Sequence, residues 1–203
     1  MADLTVPIAT DRSFAAGDRA TRGNEPIWDV IELLFFAYRD FIGDPDDVLA
    51  KFGFGRAHHR VLHFVNRNPG MKVAELLDIQ KITKQSLGRV LKQLIDQGYV
   101  VQKEGANDRR QRLLYVTAKG ETLAMKLAGL QTVRIARALS ELGPNAHDAA
   151  CRLLTAMINA DQRDSVLRFI ARADRARRTR GRDSIMIDAL PRADRLPLRR
   201  KTP

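Results

Sequence analysis

The sequence predicts a mainly α-helical fold that carries one small β-hairpin. Through most of residues 26–170, apolar residues recur at intervals of three and four, which is the spacing of amphipathic helices. Between residues 99 and 116 this spacing gives way to alternation on either side of a polar turn, the pattern of a hairpin. With 203 residues, of which 44% are apolar, the chain can form one well-packed domain with tails.

The first predicted helix has an unusually wide apolar face. Pro26 suits its first turn, Gly43 is predicted to end it, and Asp44-Pro45 restarts the chain. Its apolar residues follow helical spacing: Ile27, Val30, Ile31, Leu34, Phe35, Tyr38, Phe41 and Ile42.

Three further helices are predicted before the hairpin. The first begins within residues 55–59 and stops at the strong turn signal Asn68-Pro69-Gly70. A short helix over 72–77 follows, and a connection over 78–82 leads to a longer helix over 83–97. Gly98 supplies the stop of this longer helix.

The hairpin is predicted to consist of strands over 99–103 and 112–116 with a polar turn between them. Thr117 can cap a long helix that reaches Leu142, because its hydroxyl can accept from a free amide of the first turn. Gly143-Pro144 breaks that helix, and a final helix is predicted over 146–170.

The chain divides into three predicted regions. Residues 1–24 lack periodicity and form a flexible arm, residues 25–170 form the folded domain, and residues 171–203 form a basic, disordered tail. The tail holds ten Arg and Lys201 against four Asp, so it carries +7 of the net charge of +11. This charge favours a polyanionic partner. The folded region carries the remaining +4 and is only mildly basic, so the position of the charge along the chain says more than its total.

Composition also excludes several classes of protein. A single cysteine, Cys151, rules out an internal disulfide framework and fits a reducing cytoplasm. The apolar stretch over 27–42 contains four charged residues and is too short to span a bilayer, so a soluble protein without a membrane partner is expected. No phosphate-cradling loop, nucleophile elbow or metal cluster is present, so neither enzymatic activity nor a cofactor or metal is predicted.

A short helix, a longer helix and a hairpin with a charged tip form a winged helix-turn-helix lobe. The longer helix should present polar side chains at its N-terminal end, because that end enters the major groove of DNA. Five residues meet this requirement: Thr83, Lys84, Gln85, Ser86 and Arg89. Gln85 and Arg89 lie on one face and can pair with adenine and guanine respectively.

The tip of the wing is predicted to contact the DNA backbone. Arg109, Arg110 and Arg112 can reach phosphates or a narrow minor groove. Asp108 would otherwise repel the backbone, so its predicted task is to hold one of these arginines in position.

These residues resemble a known family. Asn107-Asp108-Arg109-Arg110 and the segment from Leu114 to Gly120 are similar to the wing of MarR-type regulators, and Lys84-Gln85-Ser86 and the segment 94–100 are similar to that family's recognition helix and its exit. The resemblance covers residues 26–170 and implies a homodimer with two winged lobes on a pseudo-palindromic site. It also implies a regulator, either a repressor or an activator, that responds to small aromatic or anionic effectors.

A helical dimerisation region is also supported by the residues themselves, because the first and last helices carry more apolar surface than one lobe can bury. The residues expected in this interface are Trp28, Ile31, Phe35, Tyr38, Leu154, Met157 and Ile158.

Several alternatives stay open at this stage. His59, Arg60 and His63 are either polar residues between lobes or the lining of an effector pocket, and the spacing of the two histidines is also correct for metal ligands. Cys151 is either structural or a sensor of oxidants. The winged lobe could instead be a protein-interaction module, or the basic tail could mark a non-specific nucleic-acid-binding or architectural protein.

Overall fold

A computed structural model of the chain describes residues 26–105, 108 and 110–189, without the side chains of residues 177 and 179–189. Within these residues it contains seven helices and three short strands. The predicted arm and residues 190–203 of the predicted tail lie outside the described residues. Of the described residues, those from Pro26 to Arg39 belong to one compact unit and those from Asp40 onward to a second.

Helix α1 runs from Trp28 to Ala50, so the predicted end at Gly43 is wrong. Proline normally interrupts a helix because it lacks an amide donor and clashes with the preceding turn. Here the face formed by Ile42, Pro45 and Leu49 is buried in the core, and this burial overrides the local preference to break. The side chain of Arg134 donates to Asp44 at 2.8 Å and further holds this segment.

Helices α2 and α3 form the base of the lobe. Helix α2 covers Arg56–Arg67, which confirms the predicted bounds, and Gly70 adopts a left-handed φ of 81° in the turn that follows. Helix α3 covers Val73–Gln80 and is therefore longer than predicted.

The turn between α3 and the next helix is shorter than the predicted connection over 78–82. Helix α4 covers Lys84–Asp96, with Thr83 as its N-cap, so only residues 81–83 separate the two helices. Lys81 ends α3 in the left-handed conformation, with φ 50°. The sequence pattern missed this arrangement because Asp78 and Gln80 break the apolar spacing without ending the helix.

The sheet has three strands in the order β1-β3-β2, where a two-stranded hairpin was predicted. Strand β1 is Met71–Lys72, β2 is Val100–Glu104 and β3 is Arg112–Val116. All pairs are antiparallel; Met71 lies opposite Leu114, and Glu104 lies opposite Arg112. Strand β1 is too short to show any alternation, so only its pairing with β3 identifies it.

Helix α5 covers Ala118–Leu142 and confirms the prediction, including the Thr117 cap. The predicted final helix is instead two helices, α6 over Ala146–Met157 and α7 over Ala160–Ala189. The side chain of Arg163 donates to the carbonyls of Thr155 and Ile158, which stabilises the break between them. The predicted tail boundary at residue 171 lies within α7, so the first part of that tail is helical.

The core lies where α2 packs against α4, α5 and the sheet. Its fully buried side chains come from these elements and also from α1 and α3: Leu49, Val61, Leu62, Val65, Leu76, Leu87, Leu94, Val100, Leu114 and Leu127. This core fixes α4 on one side only and leaves the opposite side of that helix at the surface.

Candidate nucleic-acid interface

The N-terminus of α4 is defined by a side-chain cap. The Thr83 hydroxyl accepts a hydrogen bond from the Ser86 amide at 3.1 Å and donates to the Ser86 hydroxyl at 2.9 Å. This cap satisfies one of the amides that the first turn of a helix leaves without partners. Both hydroxyls are exposed, and their mutual bonds make them supports of this end of the helix.

Helix α4 has two faces of opposite character. Leu87, Leu91 and Leu94 are buried, whereas Lys84, Gln85 and Arg89 are exposed. Gly88 lies on the exposed side, and a Cβ added there would meet no atom within 4 Å. The backbone of α4 is therefore accessible between Gln85 and Arg89, a feature that the sequence analysis did not single out. Such a surface can approach another macromolecule closely.

Asp108 makes two hydrogen bonds to backbone amides in the turn of the wing. One carboxylate oxygen of Asp108 accepts from the backbone amide of Arg110 at 2.9 Å, and its carbonyl accepts from the Gln111 amide at 3.0 Å. Asp108 thus holds the backbone at Arg110. The Arg110 residue is exposed at the tip, while Arg109 lies outside the described residues.

Arg112 lies at the stem of the wing. Its guanidinium donates to the Glu104 carboxylate at 3.0 Å across the β2–β3 pair. Both side chains are about half exposed, and this pairing partly neutralises Arg112. Among the described wing arginines, Arg110 therefore remains the better placed cation for contact with a phosphate.

One cleft of the described residues lies close to the three residues predicted to line an effector pocket. A cleft of about 810 Å³ lies between α7 and the α2–α3 region, and of the three only His63 lines it. The two arginines Arg67 and Arg172, which also line it, pair with Asp174 at 2.6 Å and Glu75 at 3.6 Å. The sequence analysis missed these arginines, because only the fold brings α7 onto the α2–α3 region.

Both histidines that were predicted to line a pocket have a lowered pKa. The pKa of His59 is lowered from its ordinary value of 6.5, mainly by burial, with Asp46 opposing and Arg60 adding to the shift. Burial also lowers the pKa of His63, together with repulsion from His59 and Arg67. Within the described residues no group of three or more His, Cys, Asp or Glu could hold a metal ion.

Most residues predicted for a dimer interface are exposed in the single chain. Trp28 is 62% exposed, Phe35 is 69% exposed and Leu154 is 59% exposed, and Tyr38 and Met157 are also exposed. Ile31 and Ile158 are half-buried, and Ile158 ends α6. Cys151 is exposed on α6, with its sulfur 3.9 Å from Nε2 of His147.

The sequence of this lobe matches a known protein family. The profile of the MarR family matches residues 52–111, which span α2 to the wing. The HTH-type transcriptional regulator PetP of Rhodobacter capsulatus is 40% identical over 163 residues, which cover 80% of this chain and 94% of PetP. The chain belongs to the MarR family. This membership makes it a transcriptional regulator rather than an enzyme.

Solved structures share the fold of this MarR-family chain. FabT of Streptococcus pneumoniae in complex with DNA superposes with a TM-score of 0.59 at 13% identity, over 65% of this chain and 94% of FabT. A MarR-family regulator of Listeria monocytogenes complexed with a 26-mer DNA gives a TM-score of 0.57 at 20% identity, over 70% of this chain and 93% of that one. Among the described residues no helix is long and apolar enough to cross a membrane.

Proposed function

We propose that this chain is a sequence-specific regulator that binds double-stranded DNA as a homodimer on a pseudo-palindromic operator. The observation that carries the proposal is the exposed polar face of α4, which lies opposite a buried leucine stripe and begins at a capped N-terminus. A helix of this kind can enter a major groove while its other face stays in the core. The DNA complexes of FabT and of the Listeria regulator, which share this fold, support the proposal.

The residues of the interface take three roles in this proposal. Gln85 and Arg89 contact base edges, and Lys84 contacts a phosphate near the groove. Thr83 and Ser86 support the end of the helix through their mutual hydrogen bonds. Arg109 and Arg110 bind phosphates or the minor groove at the wing, with Arg112 behind them at the stem.

The test compares binding to a duplex from the gene's own upstream region with binding to a scrambled duplex, over a range of salt concentrations. We expect the upstream duplex to bind more tightly, and Arg110→Ala to weaken binding to both. Lys126→Ala on α5 serves as the matched control, because it removes an exposed cation outside the winged lobe. Equal binding of the two duplexes by the wild-type chain would favour a non-specific or architectural role. No binding to either would favour a protein-interaction module.

The homodimer is proposed from the exposed apolar residues of α1 and α6. A soluble monomer rarely exposes so many large apolar side chains, since covering them releases free energy of about 25 cal/mol per Å². We expect light scattering to give twice the chain mass for the wild type. Phe35→Glu and Leu154→Glu should yield monomers, whereas Val101→Glu, at an exposed position on β2, should leave the dimer intact. A monomeric wild type would contradict the proposal.

Effector binding is proposed for the cleft between α7 and the α2–α3 region. Phe64, Phe169 and Ile79 supply apolar walls. Arg67 and Arg172 also line the cleft, and a ligand carboxylate would compete with Asp174 and Glu75 for their guanidiniums. This combination suits a small aromatic carboxylate, whose ring needs apolar contact and whose charge needs a cation. Calorimetric titration with benzoate should show binding that Arg172→Gln weakens and Arg152→Gln on α6 does not. Absence of binding at millimolar benzoate would count against this ligand class.

The basic end of the chain has a supporting role in this proposal. The arginine-rich segment after position 174 adds contacts to DNA phosphates, and these contacts do not depend on the DNA sequence. The place of action is the cytoplasm, where a bacterial chromosome lies, and a chain with one cysteine suits that reducing compartment.

A further inference from the structure

A chain of three hydrogen bonds joins α4 to the residues that connect α1 and α2. The amide of Gly55 donates to Nδ1 of His58 at 3.1 Å. Nε2 of His58 lies 2.8 Å from the side-chain oxygen of Gln93, and the Gln93 amide donates to the Gly53 carbonyl at 3.1 Å. We refer to Gly53, Gly55, His58 and Gln93 as the His58–Gln93 relay.

The direction of every bond in the relay is determined by its two ends. A backbone amide can only donate, so Nδ1 of His58 must accept and the neutral ring carries its proton on Nε2. The Gly53 carbonyl can only accept, so the side-chain nitrogen of Gln93 faces it and the oxygen faces His58. No other orientation of either side chain satisfies all three bonds.

The ring of His58 is also held in its plane. The Phe54 ring stacks on it, with centroids 4.8 Å apart and an interplanar angle of 15°. Phe54 is buried and in turn meets the edge of Tyr99 at 5.1 Å, close to the start of the wing. The His58–Gln93 relay therefore connects the buried core, through Phe54, to α4, whose other face is exposed.

Gln93 lies on α4 in line with the exposed residues Gln85 and Arg89. Gln85, Arg89 and Gln93 are spaced by four residues and form one row along the helix. The Thr83–Ser86 cap fixes the N-terminal end of that row, and the relay fixes its other end. The buried leucines hold α4 by apolar packing, which is non-directional, whereas hydrogen bonds specify an angle.

We infer that His58 and Gln93 are positioning residues that set the rotation of α4 about its axis and so place Gln85 and Arg89 against base edges. The inference rests on the proposed DNA-reading function. Neither residue contacts DNA in this account, so loss of the relay should impair the discrimination between sequences more than the total attraction to phosphates.

The first test concerns the free protein and needs no DNA. In the wild type, the Nε2 proton of His58 should appear by NMR as a slowly exchanging imidazole signal. Gln93→Ala should abolish the signal or accelerate its exchange. Gln97→Ala is the matched control, because it truncates an exposed glutamine one turn later on the same helix end. An unchanged signal in Gln93→Ala would overturn the relay.

The second test measures the ratio of affinities for the upstream and scrambled duplexes. Gln93→Ala should lower this ratio by about tenfold, the discrimination of one good bidentate base contact, and should leave the salt dependence unchanged. Gln97→Ala should retain the wild-type ratio. His58→Asn keeps an acceptor for the Gly55 amide but cannot reach Gln93, so it should reproduce the effect of Gln93→Ala and also decide the matter if that variant does not fold.

The two failures can be told apart. A wild-type chain without preference for the upstream duplex would overturn the proposed function, and with it the role of the relay in reading DNA. A wild-type preference that is kept in folded Gln93→Ala would overturn the positioning role alone. In the double variant His58→Asn/Gln93→Ala, the loss should not exceed that of either single variant, because both break the same link.

Discussion

Gly120 shows at the residue scale how closely the wing and α5 approach each other. A Cβ at this position would lie 2.0 Å from the carbonyl oxygen of Tyr99. The Thr117 hydroxyl donates to the Gly98 carbonyl at 2.7 Å and accepts from the Gly120 amide at 3.0 Å, which draws the two segments together. The sequence predicted the Thr117 cap, but the need for glycine three residues later follows only from this contact.

We therefore predict opposite effects of the same substitution at two glycines of α5. Gly120→Ala should lower the free energy of unfolding by about 2 kcal/mol or more, because the backbone atoms it meets cannot move aside easily. Gly129→Ala, where the added Cβ meets nothing within 4 Å, should raise it by about 0.5–1 kcal/mol. Denaturant unfolding measures both. A tolerated Gly120→Ala would show that the approach is looser than described.

The histidines of α2 give a second prediction at this scale, concerning pH. The folded-state pKa values of His59 and His63 lie below 6.5, so the unfolded chain takes up protons first as the pH falls. Stability should therefore decrease from about pH 7.5 toward the folded-state values, and level off below them. The double variant His59→Gln/His63→Gln should show a shallower decrease, whereas His147→Gln on α6 should follow the wild type. Parallel curves for all three proteins would contradict this origin.

Single residues of the interface were predictable to different degrees. The exposure of Gln85 and Arg89 follows from helical spacing, because the buried leucines determine the opposite face. The partners of Arg112 and Asp108 could not be predicted in the same way. They depend on strand register and on the backbone of the turn, and neither is encoded by periodicity.

At the scale of elements, we expect Asp108 to support DNA binding through its hydrogen bond to the Arg110 amide, in spite of its negative charge. Asp108→Asn keeps an oxygen that accepts from the Arg110 amide, whereas Asp108→Ala removes it. We predict that Asp108→Ala weakens DNA binding although it removes a negative charge, and that Asp108→Asn binds at least as tightly as the wild type. Fluorescence anisotropy with the upstream duplex measures both. Tighter binding by Asp108→Ala would show that charge repulsion dominates.

Element boundaries differed from the prediction where tertiary packing overrides local signals. Gly43 and Pro45 predict the end of a helix. Because Pro45 and Leu49 are buried, α1 nevertheless continues to Ala50. At the other end of the chain, apolar spacing continued smoothly over 146–170, and the break at residues 158–159 was missed. The position of the hairpin strands was predicted to within one residue, because alternation and a polar turn agree there.

Helix α7 leads to a prediction about salt. In α7, Asp174 pairs with Arg67 and Arg172 pairs with Glu75. Deletion of residues 177–203 therefore leaves both ion pairs in place. This deletion removes eight arginines and Lys201 against three aspartates. We predict a smaller dependence of DNA affinity on salt, by about 0.9 in log–log slope for each phosphate that the shortened chain no longer neutralises, with the preference for the upstream duplex unchanged.

Deletion of residues 190–203 alone is the control for this prediction. It should reduce the slope less, because four of the arginines lie at positions 177–182. If removal of 177–203 leaves the slope unaltered, the basic end does not bind DNA.

At the scale of the whole molecule, charge and apolar surface point to two different partners. The strong positive charge lies toward the C-terminal end, which suits a polyanion, whereas exposed aromatic and leucine side chains on α1 and α6 suit a second copy of the chain. Composition could suggest both partners. Only the fold shows that the polar face of α4 lies on one lobe with the wing.

The central claim is that α4 reads sequence while the wing supplies affinity. Selection of bound duplexes from a pool randomised around the operator tests it most directly, with Gln85→Ala and Arg110→Ala beside the wild type. We predict that Gln85→Ala loses its preference at one base position in each half-site, and that Arg110→Ala keeps every preference but binds all sequences more weakly. The reverse pattern, with specificity lost in the wing variant and retained in Gln85→Ala, would contradict the account.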